Sequence, residues 1–491
     1  MRRRTVVLSS ALAIVLLAGF AGTRAAGPVA RPALGFVAKV VCSGVFLGGV
    51  TPDQALSDLP DEPIAQLIRT RVDTASRSVS ASLPLVAKRH AVYRDGLGCT
   101  LVSRTDPAAL AHRVPPPADP AAPGRSPAGP AASRPVPPDA GADRATLWPH
   151  GETVDAAAAA AVSGLDAARL NTLIEDSFTE PDPALKRRTR AIVIVHGGRI
   201  VAERYAEGFG PASRFTGWSM TKSVTNALVG ILAGRNALDI DADRLRPEWR
   251  SPGDPRAAIT LHDLLTMSSG LAFHESYAPT GAVPRMLFDS HDAAATAAAS
   301  PLAHEPGTVW SYSSGTSNIV SALVRDAFAT DDEYLAFPRR ALFDRIGMTS
   351  AVIEPDPSGT FVGSSFMYAT ARDWARFGLL FLQDGVWDGE RILPAGWVHY
   401  SVTPAPAAPA GRYGAHWWLN AGEPADTTRR TWPDLPRDIY YASGFDGQFV
   451  VVVPSHDLVV VRLGVTPDGR AWRLGTFLRG VLDIVEDGAS P

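Results

Sequence analysis

Two segments far apart in the chain have the apolar, branched composition of β-hairpins. The first, AIVIVHGGRIVAERY (191–205), consists of two strand-like runs around Gly197-Gly198. The second, GQFVVVVPSHDLVVVRLGV (447–465), turns at Pro454 to Asp457. A Gly-Gly dipeptide between two such runs favours a tight hairpin turn. The pattern therefore predicts strands near both ends of the main part of the chain.

Apolar residues recur at helical spacing before, between and after these hairpins. They are Leu165, Leu170, Leu173, Ile174 and Phe178, then Val224, Ala227, Leu228, Ile231 and Leu232, and finally the stretch FLRGVLDIVED at 477–487. An antiparallel sheet that pairs the early and late hairpins, flanked by helices and with a helical subdomain inserted between them, satisfies this order. We therefore predict a two-subdomain α+β fold for residues 145–491.

The N-terminal part of the chain has a different composition. Residues 27–113 predict a small β-rich accessory region, in which AKVVCSGVFLGGV (38–50) and HAVYRDGLGCTLV (90–102) are interpreted as strands broken by glycines. Residues 114–144 are dominated by Pro, Ala and Gly and predict an extended linker. The length of 491 residues also favours two or more units.

The first 26 residues are typical of an export signal. An arginine triplet at positions 2–4 precedes the apolar run from Thr5 to Gly22. Ala25-Ala26 is a candidate cleavage site, but Arg24 would occupy an unfavourable position, so an uncleaved membrane anchor is the alternative. We expect an exported protein, periplasmic or secreted, with no later segment long and apolar enough to cross a bilayer.

The two cysteines, Cys42 and Cys99, both lie in the N-terminal part. In an exported protein such an even pair suggests a disulfide, and two buried thiols are the alternative.

Charge and motif content limit the partners. A net charge of −3 gives no reason to expect nucleic acid or an anionic membrane as partner. No metal-ligand spacing occurs among the histidines His196, His262, His304 and His416, which are scattered along the chain. With no phosphate-binding glycine loop either, we expect no metal and no cofactor.

GWSMTKSVTNALVG (217–230) places Ser219 three residues before Lys222. Three residues are nearly one helical turn, so both side chains project on the same side, where a base can activate the hydroxyl. The four lysines of the chain are Lys39, Lys88, Lys186 and Lys222. The apolar residues after the motif predict that Lys222 is buried with a lowered pKa. A helix-capping serine beside a solvated lysine is the alternative.

GWSMTKS resembles the first motif of the serine β-lactamase and penicillin-binding-protein superfamily. It is most similar to the class C-like branch of esterases, D-amino-acid peptidases and 6-aminohexanoate-dimer hydrolases. The second motif of that branch, Tyr-x-Ser or Tyr-x-Asn, is matched by Tyr312 and Ser314 in EPGTVWSYSSGTSN. Further resembling stretches are ITLHDLLTMSSGL (259–271), residues 369–398 and YGAHWWLN (413–420).

The resemblance covers roughly residues 165–485 and implies a β-lactamase-like fold. It also implies that Ser219 is the nucleophile, that Tyr312 is the general base working with Lys222, and that Ser314 fills the polar third position of the second motif.

The third family motif departs from the penicillin-recognising pattern. Lys-Thr-Gly is impossible because no lysine follows Lys222, and the matching place reads YASGFDGQ (441–448). This resembles the shortened G-x-x-G-Q version of the 6-aminohexanoate-dimer-hydrolase-like branch. By that resemblance Gly444 and Phe445 contact the substrate, and the Phe445 N–H joins that of Ser219 in an oxyanion hole. Without the cation, and with Asp446 nearby, neutral esters or linear amides fit better than carboxylate-bearing β-lactams.

The sequence thus predicts a serine hydrolase of esterase or amidase type, which acts on a small-molecule substrate through an acyl-enzyme. Two alternatives stay open: a β-lactamase or D,D-peptidase that uses the same residues, and a non-catalytic binding or sensor protein on this fold. A Ser-His-Asp triad also stays open, although no histidine has a motif comparable with that of Lys222. Membrane contact is expected only through an uncleaved N-terminal segment.

Overall fold

The computed structural model describes residues 27–60, 67–102, 146–278, 280–423 and 425–488. The predicted signal or anchor at 1–26 and the predicted linker at 114–144 lie outside the described residues.

The N-terminal region, defined here as residues 27–60 and 67–102, consists of a long helix, a short helix and a four-stranded antiparallel sheet in sequential order. Its elements are α1 (Gly27–Phe46), α2 (Pro52–Ser57), β1 (Arg69–Asp73), β2 (Ser78–Leu83), β3 (Ala87–Arg94) and β4 (Gly98–Val102). The stretch 90–102 forms the hairpin of β3 and β4, as predicted.

The strand prediction for 38–50 is wrong, because most of this stretch is the C-terminal half of α1. The complete helix buries apolar residues at helical spacing, and that period is visible only when residues 27–37 are included. The residues of this buried stripe are Ala30, Leu34, Val37, Ala38 and Val41.

The length and composition of α1 would also allow it to cross a membrane, so the prediction that no segment after the leader could do so is wrong too. In the folded protein, 56% of an 18-residue apolar stretch of this helix is buried against the rest of the protein. Gly35 allows α1 to lie directly against the main region, since a Cβ at this position would lie 1.9 Å from the backbone oxygen of Phe288.

A six-stranded antiparallel sheet forms the centre of the main region. Its strands, in chain order, are β5 (Thr189–His196), β6 (Arg199–Tyr205), β12 (Trp418–Leu419), β13 (Tyr440–Gly444), β14 (Gln448–Val453) and β15 (Leu458–Gly464). The spatial order is β12-β13-β14-β15-β5-β6. The early hairpin β5–β6 therefore pairs with the late hairpin β14–β15 through β15 and β5, which confirms the predicted sheet.

The predicted helical insertion lies between the two hairpins, together with short strands. The helices flanking the sheet or lying in the insertion are α3 (Ala156–Val162), α4 (Ala167–Phe178), α5 (Thr221–Gly234), α6 (Leu261–Leu265), α7 (Ala282–Phe288), α8 (Ala293–Ala298), α9 (Ser314–Asp326), α10 (Asp331–Pro338), α11 (Ala371–Leu382), α12 (Trp397–Val402) and α13 (Leu474–Gly488). The short strands are β7 (Arg214–Thr216), β8 (Val352–Ile353), β9 (Met367–Thr370), β10 (Val386–Trp387) and β11 (Glu390–Arg391).

Both faces of the central sheet are covered, which explains why its strands read as continuous apolar runs. Val450 and Val452 of β14 face the large core that also contains α11 and α1, whereas Val451 and Val453 face a second core with α13. Successive side chains of a strand point to opposite faces, so each layer receives alternate residues. The rigid sheet and the layer on its α11 face together carry the segments of the candidate site.

Two interactions fix α1, one to the small sheet and one to the main region. A disulfide joins Cys42 of α1 to Cys99 of β4, with a Cα–Cα distance of 6.0 Å. Lys39 forms an ion pair with Glu354, and both side chains are buried. The Glu354 carboxylate also accepts hydrogen bonds from the Ser43 hydroxyl (2.8 Å) and from the backbone N–H of Cys99 (2.6 Å). One buried carboxylate thus holds the helix, the small sheet and the main region together.

We expect Lys39→Met to lower the free energy of unfolding by about 3–5 kcal/mol, because it leaves the Glu354 charge buried without its cation. Urea denaturation followed by circular dichroism measures this change. The double variant Lys39→Met/Glu354→Gln should recover part of the loss, since a neutral amide needs no cation. A single variant within about 1 kcal/mol of the wild type would contradict the assignment.

Candidate active site

Ser219 lies where a short strand turns into a buried helix. β7 ends at Thr216, a single 3-10 turn spans Trp218–Met220, and α5 begins at Thr221. Trp218 adopts a φ of 45°, a left-handed conformation that costs a non-glycine residue about 1–3 kcal/mol. This turn places Ser219 at the positive end of α5, which favours developing negative charge there.

Lys222 is the second residue of α5, nearly one turn after Ser219, and it is 1% exposed. Its Nζ donates to Ser219 Oγ (3.1 Å), to Ser314 Oγ (3.0 Å) and to the backbone oxygen of Ser364 (3.0 Å). An ammonium group has three protons to donate, so these three acceptors satisfy it completely. The interpretation of Lys222 as a solvated surface lysine is therefore excluded.

Burial lowers the pKa of Lys222 to about 8, and the negative charge of Glu275 opposes this shift. Water solvates an ammonium better than the protein interior does, so desolvation favours the neutral amine. Lys222 can consequently gain or lose a proton close to neutral pH.

Tyr312 lies against this amine, with Nζ of Lys222 4.9 Å from the centroid of its ring. The ring stacks on Trp418 at 5.3 Å and meets Tyr413 edge-on at 6.0 Å. Burial raises the pKa of the Tyr312 hydroxyl above its ordinary value, while interaction with the Ser219 side chain lowers it. At neutral pH Tyr312 is therefore a neutral hydroxyl beside an amine that titrates.

Ser314 connects Lys222 to a carboxylate that the sequence analysis did not identify. The Ser314 Oγ donates to Glu275 Oε1 (2.6 Å) and its backbone N–H donates to Glu275 Oε2 (2.7 Å). Because Ser314 begins α9, the carboxylate also lies at the positive end of that helix. Glu275 in turn accepts from the Tyr277 hydroxyl (2.9 Å).

The turn between β13 and β14 lies directly beside the Ser219 segment. A Cβ on Gly444 would lie 2.1 Å from the backbone oxygen of Gly217, so only glycine allows this approach. The Phe445 ring contacts Trp218 (5.8 Å between centroids) and Tyr277 (6.0 Å). The structure thus brings Gly444 and Phe445 to the same place as Ser219, Lys222, Tyr312 and Ser314.

Two buried residues hold this turn in shape. The Gln448 amide donates to the backbone oxygens of Phe445 (3.0 Å), Asp446 (3.1 Å) and Gly464 (2.6 Å). Arg462 donates to the backbone oxygen of Gly447 (2.8 Å). The glutamine of the G-x-x-G-Q pattern therefore has a physical role, which is to fix the three-residue connection.

Glu275, Tyr277 and Arg462 are the site residues that sequence reasoning missed. Glu275 and Tyr277 belong to a connection without regular structure after the SSGL turn, and nothing in their spacing links them to Ser314. Arg462 carried a weak signal, since it is a charged residue inside an otherwise apolar strand.

The histidines have other surroundings. His416 is buried behind Lys222, with Nδ1 3.0 Å from the Lys222 backbone oxygen and Nε2 3.2 Å from Ser317 Oγ. Burial lowers the pKa of His416 to about 3, so it stays neutral and supports α5. Within the described ranges, no group of three or more His, Cys, Asp or Glu side chains could hold a metal ion.

Comparisons with known proteins identify a related enzyme. The chain is 25% identical to the 6-aminohexanoate-dimer hydrolase of Paenarthrobacter ureafaciens over 327 residues, which cover 60% of this chain and 78% of that enzyme.

Solved structures share the fold at lower identity. A candidate β-lactamase from Bacteroides dorei superposes with a TM-score of 0.52 at 18% identity, covering 66% of this chain and 99% of the other. A penicillin-binding-protein homologue from Caulobacter crescentus superposes with a TM-score of 0.50 at 15% identity, covering 65% and 97%. The β-lactamase family model itself matches residues 174–470, more than half of the chain and the whole of the site described above. The chain therefore belongs to the β-lactamase family, a family of hydrolases with a β-lactamase-like fold.

Proposed function

We propose that the protein is a serine hydrolase that cleaves ester or linear amide bonds through an acyl-enzyme on Ser219. The observation that carries this proposal is the buried amine of Lys222, 3.1 Å from Ser219 Oγ and with a pKa lowered to about 8. A buried lysine beside a serine hydroxyl is the arrangement that turns a poor nucleophile into a reactive one. Membership of a hydrolase family supports the same reaction class.

The proposed proton path begins at the contact of the Lys222 amine with Ser219 Oγ, beside the Tyr312 ring. Ser219 Oγ attacks the carbonyl carbon while its proton passes to the pair of Tyr312 and neutral Lys222. The pair then returns a proton through the Tyr312 hydroxyl to the leaving alcohol or amine. A water molecule, deprotonated by the same pair, attacks the acyl-enzyme carbonyl. As the bond between the acyl carbon and Ser219 Oγ breaks, the pair passes this proton to Ser219 Oγ, so the acid is released and the enzyme regains its starting protonation state.

Backbone N–H groups of Ser219 and Phe445 would form the oxyanion hole. The contact of Gly444 with Gly217 and the edge-on contact of Phe445 with Trp218 support this assignment, because they keep the turn against the nucleophile segment. Each such donor supplies on the order of 3 kcal/mol to the transition state.

Neutral substrates suit this site better than carboxylates. No lysine follows Lys222 in the chain, and burial raises the pKa of Asp446 to about 7, so that a negative charge forms beside Phe445 above neutral pH. The relative named for the hydrolysis of the 6-aminohexanoate dimer supports a linear amide as one substrate class.

We also propose export to an oxidising compartment, because the Cys42–Cys99 disulfide is typical of such compartments. We propose that the chain consists of a signal or anchor, an accessory region, a linker and a catalytic domain at 145–491.

Ser219→Ala, Lys222→Met and Tyr312→Phe should each lower kcat/KM for p-nitrophenyl butyrate by roughly 10³-fold or more, since the three groups act as one unit. The matched controls are Ser251→Ala and Lys88→Met, which change exposed residues and should retain activity. Intact-mass detection of a fluorophosphonate adduct on Ser219, absent from Ser219→Ala and present in Ser251→Ala, checks the nucleophile. A labelled Ser219→Ala protein with full activity would refute the mechanism.

The acylation rate should rise with pH around a midpoint of about 8, because the neutral amine of Lys222 forms above its pKa. Glu275→Gln removes a charge that raises this pKa, so the midpoint should move to lower pH. Stopped-flow labelling across pH 5 to 10 measures the midpoint, and NMR of ¹³C-lysine-labelled protein checks the titrating group. Glu305→Gln, an exposed glutamate, is the control. An unchanged or higher midpoint in Glu275→Gln would contradict the assignment.

Nitrocefin should be turned over about 100-fold less efficiently than p-nitrophenyl butyrate, because its carboxylate meets no lysine in the third motif. Asp446→Asn should reduce the difference in kcat/KM between the two substrates, because it removes a negative charge that repels the nitrocefin carboxylate. Comparable kcat/KM values for both substrates in the wild type would favour the β-lactamase alternative.

A further inference from the structure

A cavity of about 80 Å³ lies between the N-terminal region and the Ser219 segment. Phe36, Val40 and Gly44 of α1 line one side, and Trp218 and Phe445 line the other. The residue before the nucleophile and the proposed oxyanion residue therefore border a space whose opposite wall comes from a part of the chain outside the family match at 174–470.

The cavity wall is one face of α1. Phe36, Val40 and Gly44 are spaced four residues apart and so share a side of the helix. They are only half-buried, whereas the stripe formed by Leu34, Val41 and their neighbours is fully buried. The helix thus uses one face for attachment and presents the adjoining face to the cavity.

The wall is held rigidly relative to Ser219. Lys39, next to Val40, is fixed by its ion pair with Glu354, and Cys42 is fixed by the disulfide. A chain of aromatic contacts continues from α1 to the nucleophile segment, with centroid distances of 5.1 Å for Phe36–Phe288, 5.8 Å for Phe288–Phe366 and 6.2 Å for Phe366–Trp218.

The location of Tyr312 decides which part of a substrate this cavity can receive. The leaving group must take its proton from Tyr312, so that part of the substrate lies beside the Tyr312 ring. Tyr312 packs against a separate apolar cluster that includes Met267, Tyr413 and Trp418. None of these residues lines the cavity, so the cavity lies apart from the cluster beside which the leaving group would be held, and it borders Trp218, the residue before Ser219.

We propose that this cavity is the acyl-chain subsite of the hydrolase and that α1 supplies its outer wall, selecting linear apolar acyl groups of about six carbons. The proposal rests on the proposed function of Ser219. The volume admits roughly 5–8 water-sized groups, the space of such a chain. Most residues that line the cavity are apolar. Of its four charged lining residues, Asp58 and Arg190 form an ion pair with each other, and Arg214 and Asp446 are the other two.

The test compares p-nitrophenyl acetate, butyrate and hexanoate as substrates of the wild type, Val40→Trp and Val29→Trp. Val40→Trp fills the cavity, whereas Val29 is an exposed residue of the same helix outside it. In the wild type, kcat/KM should rise about threefold for each added methylene that enters the cavity. Val40→Trp should lower the hexanoate-to-acetate ratio at least roughly tenfold, and Val29→Trp should keep the wild-type ratio.

A second measurement separates the subsite from catalysis. In a Ser219→Ala background, the neutral ester methyl hexanoate should bind more tightly than methyl acetate by calorimetry, and Val40→Trp should abolish the difference. Equal hexanoate-to-acetate ratios in wild type and Val40→Trp, or methyl hexanoate binding that Val40→Trp leaves intact, would overturn the subsite. A third outcome separates the two proposals. If the wild type, Val40→Trp and Val29→Trp all fail to hydrolyse the esters but binding still depends on chain length, the proposed function is refuted and the cavity is supported as an apolar-chain site.

Discussion

The cost of removing an ammonium group from water governs the architecture around Lys222. A buried amine loses hydration worth several kcal/mol, and the protein recovers this only by offering an acceptor to every N–H. The three acceptors come from three separate parts of the chain: the turn before α5, the start of α9 and the segment before β9. Satisfying one side chain therefore requires that these segments converge, and their convergence creates the site.

The same requirement explains why the surrounding polar residues form a continuous network. The Ser314 hydroxyl accepts a hydrogen bond from Lys222, so its own O–H can donate a hydrogen bond to the Glu275 carboxylate. Glu275 has capacity for further donors, and the backbone N–H of Ser314 and the Tyr277 hydroxyl use it. Buried polar groups of this kind are stable only when each member is paired, so a change at one of them affects the others.

The elements governed by local pattern could be predicted from the sequence, and those governed by distant contacts could not. The hairpin at Gly197-Gly198 follows from residues adjacent in the chain, and so does the one-turn spacing of Ser219 and Lys222. Placement of Tyr312 and Ser314 needed the family resemblance, because 93 and 95 positions respectively separate them from Ser219. Glu275 escaped because an acidic residue in an irregular connection has no periodicity, and only the fold brings it to the start of α9. The C-terminal half of α1 was mistaken for a strand because its helical period is visible only together with residues 27–37, and its contacts with Phe288 and Glu354, far along the chain, leave no local signal.

The ion pair between Lys39 and Glu354 joins residues 315 positions apart. Helix α1 leaves the ribosome long before its partner does, and it cannot reach its buried position until the segment around β8 has been synthesised and folded. During that interval only the small sheet of the N-terminal region can cover this long apolar helix, and the part of the helix that packs against the main region stays uncovered. Contacts of such long range slow folding, and an uncovered apolar segment is prone to aggregation meanwhile. Biogenesis of this protein is therefore a problem of order, in which the first helix of the described residues is made early and completes its packing late.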